Sequence, residues 1–312
     1  MSDILAVVLP VFLVIGAGYG AARVGWISAA AIDGLMAFTQ RFAIPCLLFV
    51  AISTLDLAAE FSWRLLVSFY AGALAGFAAG TLGARLLFGR PWEDAVAIGF
   101  LGLFSNSVLL GLPVSERAFG PEGLAGNYAI IAIHAPVCLG VGITVMEIVR
   151  AAARPEGLRP DLPVVVLKAM FSNALILGIV AGMAVNLAGV PVPRVADDAV
   201  RLLAAGALPA ALFGLGGVLV RYAPTGEMGP VALACAASLA LHPALTYGLG
   251  LALDVPEAGL RSAVVTAAMA PGVNGYIFAD MYGRARRVAA STVLIGTGLT
   301  VLTAAGWLAI LP

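Results

Sequence analysis

Long apolar stretches follow one another along the whole chain, each closed by charged residues, glycine or proline. About 20 apolar residues suffice to cross the roughly 30 Å hydrocarbon core of a bilayer, because a helix rises about 1.5 Å per residue. The pattern predicts ten such helices, at 4–22, 32–53, 64–87, 94–116, 126–149, 163–187, 196–220, 229–251, 258–280 and 287–310. The expected fold class is all-α and integral to the membrane. The connection RAAARPEGLRPDLP, residues 150–163, is the longest and divides the chain almost in half.

Composition narrows the class further. Of the 312 residues, 62% are hydrophobic and 11% charged, where about a quarter would be charged in a water-soluble domain. Seventeen basic residues balance seventeen acidic ones, so no net field draws nucleic acid, and nucleic-acid binding is excluded. Ten spans leave no length for a soluble domain. Cys46, Cys138 and Cys235 lie inside apolar runs without CxxC spacing, which suggests packing residues instead of a disulfide or metal framework. The first stretch lacks a basic segment before it and reads as a span, not a cleaved leader.

Cations set the expected orientation, since cytoplasmic loops carry the excess of Lys and Arg. The connections after helices 1, 3, 5, 7 and 9 hold Arg23, Arg85, Arg90, Arg150, Arg154, Arg159, Lys168, Arg221, Arg284, Arg286 and Arg287; the opposite ones hold Arg64, Arg117, Arg194, Arg201 and Arg261. Both termini are therefore expected outside the cytoplasm, with a linker at 150–162 inside it. That linker separates two repeats, 1–149 and 163–312. FAIPCLLF around Pro45 parallels GALPAALFGLGG around Pro209, and GLFSNSVLLGLPVSERAFG parallels AAMAPGVNGYIFADMYG. Five helices is an odd number, so the second copy enters the bilayer from the opposite face, as in inverted-repeat secondary transporters.

The chemistry concentrates where the fourth and ninth stretches are interrupted. Ser105, Asn106 and Ser107, followed by Gly111 and Pro113, form one interruption; Pro271 and Gly272, followed by Asn274 and Gly275, form the other. Freed backbone groups are tolerated at such depth only where protein or water re-satisfies them. Each broken helix exposes an N-terminus with a partial positive charge, able to bind an anion without Lys or Arg. The amides of Asn106 and Asn274 offer donors and acceptors to a carboxylate while capping the broken backbone. The competing reading is that these residues only kink or cap packed helices, as Gly and Pro often do in spans.

Pro45 and Pro209 free a carbonyl in helices 2 and 7 and are expected to kink them beside the cavity. Gln40 and Arg41 precede the first of these prolines, and Arg41 either snorkels or draws an anion toward an inward-facing vestibule. His134 and His242, the sole histidines, are candidates for proton coupling, against the simpler reading of buried hydrogen-bonded imidazoles. Glu147 and Asp280 are expected at solvated helix ends. No HExxH, GxSxG or Walker loop is present, so neither an enzyme, a metal site nor a bound cofactor is expected.

The SNSVLLGLPVSERAFG, AAMAPGVNGYIFADMYG, FAIPCLLF and ALFGLGGVL runs resemble the auxin efflux carrier family. That family includes plant PIN-type auxin exporters and bacterial proteins described as malonate or malate permeases. The resemblance implies ten helices with broken, crossing helices 4 and 9. It further implies a scaffold domain of helices 1, 2, 6 and 7, a transport domain of helices 3–5 and 8–10, and an elevator movement between them. Asn106 matches the family's carboxylate-reading Asn, and homodimers are implied. This chain departs from the plant pattern in having Ser105, Ala270 and Gly275 where that pattern has proline, with Pro271 shifted by one. Sixteen Arg against one Lys fits a bacterial inner membrane. The expected function is transport of a small organic anion through the bilayer, with H+ or Na+ as possible coupling ion; the rival is a sodium-coupled symporter of the bile-acid type.

Overall fold

The computed structural model describes residues 2–152, 160–171, 174–224 and 227–312. Arg154, Arg159 and most of the expected 150–162 linker lie outside the described residues. The chain runs through α1 (Ser2–Arg23), α2 (Ala29–Phe38), α3 (Ile44–Thr54), α4 (Leu57–Glu60), α5 (Trp63–Phe88), α6 (Trp92–Leu103), α7 (Leu112–Phe119), α8 (Ala125–Ala152) and α9 (Leu162–Phe171). It continues through α10 (Ala174–Ala188), α11 (Arg194–Ala205), α12 (Ala207–Leu219), α13 (Met228–Ala236), α14 (His242–Ala252), α15 (Glu257–Ala267), α16 (Val273–Tyr282) and α17 (Arg286–Ile310). Among the described residues there is no strand. Seven helical stretches are long and apolar enough to cross a membrane: Ile4–Arg23, Ala29–Thr54, Trp63–Phe88, Pro121–Ala152, Arg194–Leu219, Met228–Ala252 and Arg286–Ile310. The protein is a multi-pass, all-α membrane protein. Leu86, Leu87 and Leu302 are among the leucines that stand exposed on these helices, as side chains solvated by lipid should.

Three prolines are absorbed by one local device. A π-helical turn covers Thr39–Ala43, Ser107–Gly111 and Ala237–Leu241, and the residue after each donates its N–H five residues back: Ile44 to Thr39, Leu112 to Ser107 and His242 to Ala237. Pro45, Pro113 and Pro243 follow immediately. Widening the turn moves the carbonyl that would clash with the proline ring. Pro209 differs from the expected equivalence with Pro45. The chain leaves the helix at Gly206, and Pro209 falls in the first turn of α12, where its missing N–H costs nothing.

The chain forms two compact units: Met1–Val8, Ser62–Met170 and Tyr222–Pro312 make the first, Leu9–Phe61 and Phe171–Arg221 the second. In the second, small residues let backbones touch, which is how apolar helices gain packing in lipid. A Cβ at Gly182 of α10 would lie 2.8 Å from the Phe49 carbonyl oxygen of α3. The Asn186 side chain of α10 closes the end of α3 by donating to the Ile52 and Leu55 carbonyls at 2.9 and 2.8 Å. Pro45 and Pro209 both belong to this unit, and Arg41 is exposed on it.

In the first unit α5 and α6 meet through glycines. A Cβ on Gly102 would lie 2.6 Å from the Gly76 carbonyl oxygen, so the pair fixes the position of the α6 end. Glu147 does not occupy a solvated end as expected. It is 6% exposed, with Arg150 at 3.5 Å. Arg150 also reaches Glu93 at 3.3 Å, and Arg284 pairs with Glu93. These ion pairs join the start of α6 to the end of α8 and the turn before α17. Asp280 is exposed, 2.9 Å from Arg286.

Candidate functional site

Both interruptions lie in the first unit, and they meet. After Leu103 the backbone leaves the helical region, with Phe104 at φ −100°, ψ 88° and Asn106 at φ −78°, ψ 62°. After Ala268 it leaves again, becoming extended at Gly272 with φ −81°, ψ −178°. Ser105 and Pro271 face each other as an isolated antiparallel bridge, and the Asn106 N–H donates to the Ala270 carbonyl at 2.9 Å. Two broken helices thus satisfy part of each other's backbone, the requirement for irregular chain at membrane depth.

Side chains from neighbouring helices satisfy more of it. Beside the first break, His134 of α8 lies with Nε2 3.2 Å from the Ser105 carbonyl oxygen. A carbonyl only accepts, so this nitrogen carries the hydrogen. The Cys138 thiol, one turn on, donates to the Leu103 carbonyl at 3.7 Å. Beside the second break, the Thr300 hydroxyl oxygen of α17 accepts the Ala270 N–H at 3.3 Å, and Ser238 donates to the Met269 carbonyl at 3.4 Å. Ser238 and Thr300 were not among the residues picked from sequence, and Cys138 was read there as a packing residue. The only signal they carry there is a small polar group inside an apolar span.

Asn106 holds the chemical centre. It is 7% exposed, and its Oδ1 accepts the Leu109 N–H at 3.3 Å, so the side chain caps the helix that it opens. Its Nδ2 donates to no protein group. Gly272 packs directly on this amide. A Cβ there would lie 3.1 Å from Asn106 Cγ, so the absent side chain is what lets the two chains approach. Ser105 and Ser107 are buried at 1% and 3%, and the Ser105 Oγ also has no protein partner.

The remaining expected residues divide. Pro271 and Gly275 are buried, and Gly275 sits against Leu101, where a Cβ would be 2.7 Å from Cδ2. Gly111 lies within the π turn after Asn106, and Pro113 opens α7. Asn274 does not cap a broken end as expected: the N-cap of α16 is Gly272, without a side-chain bond, and Asn274 is exposed one residue into the helix. His242 is fully buried with Nε2 3.3 Å from the Phe69 carbonyl oxygen, away from either break in its contacts. Phe69 presents its ring to both histidines, at 5.6 Å from His134 and 4.9 Å from His242. Among the described residues no group of three or more His, Cys, Asp or Glu could hold a metal ion.

Paired helix breaks buried inside a multi-pass helical protein are a feature of secondary transporters. Residues 3–308 match the family model described as membrane transport protein. The chain belongs to that family, the auxin efflux carriers. It is also similar to a protein of Rhizobium meliloti (strain 1021) provisionally named a malonate transporter, with 27% identity over 318 residues covering 99% of this chain and 96% of the relative.

Proposed function

We propose that this protein is a secondary transporter that carries a small dicarboxylate, malonate or a close analogue, and binds it where the two helix breaks meet. The observation that carries the reading is Asn106: a buried amide whose oxygen is committed to capping, leaving two N–H hydrogens for an incoming acceptor. A carboxylate supplies acceptors of the right charge at the positive end of the helix beginning at Ser107. Ser105 and Ser107 add hydroxyls, Gly111 and Pro113 shape the turn, and Pro271, Gly272 and Gly275 hold the second break against it. Asn274 contributes an amide from the first turn of α16. The name of the Rhizobium relative supports malonate as first choice among carboxylates.

In this reading the seven long stretches, the two broken helices and the α9–α10 segment make ten spans in two inverted repeats. The first unit carries the substrate and travels as an elevator against the second, to which Pro45 and Pro209 belong as wall. His134 and His242, the candidates for proton coupling, each place Nε2 as a donor to a backbone carbonyl. The test is a thermal-shift titration of the purified protein with malonate, since a ligand that binds only the native state raises Tm. A saturable rise in the wild type that is much smaller in Asn106→Ala at the same malonate concentration is expected. A rise of equal size in the variant removes the assignment.

A further inference from the structure

The half-helix that ends at the first break, α6, and the one that begins at the second, α16, are tied to each other and to α8 at two levels away from the anion site. Midway along them, the rings of Phe100 and Phe278 are fully buried and stacked, with centroids 3.9 Å apart and planes 11° apart. Gly142 of α8 packs on the stack, since a Cβ there would lie 2.5 Å from a Phe100 ring carbon and 3.1 Å from one of Phe278. At the ends far from the breaks, the charges converge. Arg284, just beyond α16, pairs with Glu93 of α6 and lies 3.9 Å from Asp94. Arg150 of α8 reaches Glu93 at 3.3 Å and Glu147 at 3.5 Å, and its guanidinium stands 5.4 Å from the centre of the Tyr282 ring at the end of α16.

A continuous spanning helix has its depth set at both ends, and a broken one does not. α6 and α16 have 12 and 10 residues, about 18 and 15 Å of helix, so each covers only part of the hydrocarbon core and gives way to irregular chain inside it. Apolar faces alone do little to stop such a segment from sliding, because lipid and protein neighbours are equally apolar. Charges supply the stop. Shifting α6 toward its break would draw Glu93 and Asp94 toward hydrocarbon, which is costly, and would part them from Arg284. With the outer ends fixed to each other the two phenyl rings stack, and the inner ends then bring Gly272 against Asn106. The Arg90–Glu227 pair at 2.8 Å lacks this character: it is a single pair, and Glu227 is 68% exposed, where solvent and salt leave little net energy.

We propose that Arg284 and Arg150, acting through Glu93, are positioning residues for the anion site: they hold α6 and α16 at one depth and so keep the two breaks in register. The malonate part rests on the transport reading; the register does not. The test compares Arg284→Gln and Arg150→Gln with Glu227→Gln, which removes the exposed pair, and with Arg284→Lys, which keeps the charge. Two quantities are measured on the purified full-length protein well below each variant's Tm: hydrogen exchange at residues 105–111 and 268–273 without ligand, and malonate Kd by isothermal titration. Arg284→Gln and Arg150→Gln should quicken exchange at both breaks and weaken malonate binding by about threefold to tenfold. Glu227→Gln should change neither, and Arg284→Lys should retain most of the wild-type behaviour. A merely structural cluster would lower Tm while leaving exchange at the breaks and Kd at wild-type values, and that result overturns the proposal while leaving the anion reading intact. Quickened exchange at the breaks in the two Gln variants, in a protein whose wild type binds no malonate, keeps the register and removes the anion reading.

Discussion

The two helix breaks solve the same problem with different materials. At the first, a side chain does the capping: Asn106 accepts the Leu109 N–H, while His134 and Cys138 reach the Ser105 and Leu103 carbonyls. At the second, a glycine stands at the N-cap without a side-chain bond, and hydroxyls of Thr300 and Ser238 attend to the backbone. The first break therefore retains an unspent donor, the Asn106 Nδ2. The second supplies closeness, through Gly272. Near symmetry in the backbone thus coexists with a division of labour in the side chains, one break reading the ligand and the other making room.

The largest expected effect separates the two asparagines. Asn106→Ala should weaken malonate binding by on the order of tenfold to a hundredfold, the equivalent of one hydrogen bond to a charged group. Asn274→Ala, on an exposed residue that caps nothing, should weaken it several times less. Isothermal titration of both variants reads the difference, and equal losses would make the breaks equivalent. Next comes the approach of the two chains. Gly272→Ala places a methyl against the Asn106 amide and should cost about 1–3 kcal/mol of stability. Gly111→Ala meets only ordinary contacts, from 3.6 Å outward, and should be near neutral in the same detergent melts. Of similar size is the support from outside. His134→Ala leaves the Ser105 carbonyl without its donor, and Thr300→Val leaves the Ala270 N–H without its acceptor. Each should cost about 1–3 kcal/mol, with the histidine higher because a cavity is added. Hydrogen exchange should quicken near residues 105–111 in the first variant and near 268–273 in the second.

Much of this was open to reading from the chain itself. Hydrophobic stretches bounded by Arg, Gly and Pro placed helix ends within a few residues, because spanning hydrocarbon demands a minimum apolar length. The clustering of Asn, Ser, Gly and Pro at 105–113 and 270–275 marked both breaks, since few other residues tolerate a non-helical backbone there. Glu147 misled, because a carboxylate near a span's end looks solvated until Arg150 is seen beside it.

What the sequence determined alone was the medium, the class of protein and the places where helices must stop. Those follow from local facts: apolar length against bilayer thickness, and the backbone limits of glycine and proline. The tertiary structure decided which freed groups meet. Ser105 against Pro271, His134 under Ser105, Gly272 on Asn106 and the turn that absorbs Pro45 all depend on helices packed at close range. In a chain apolar on nearly every face, periodicity does not tell a lipid-facing side from a protein-facing one. Only packing assigns each side its neighbour, and so only packing shows which buried amide still has hydrogens to give.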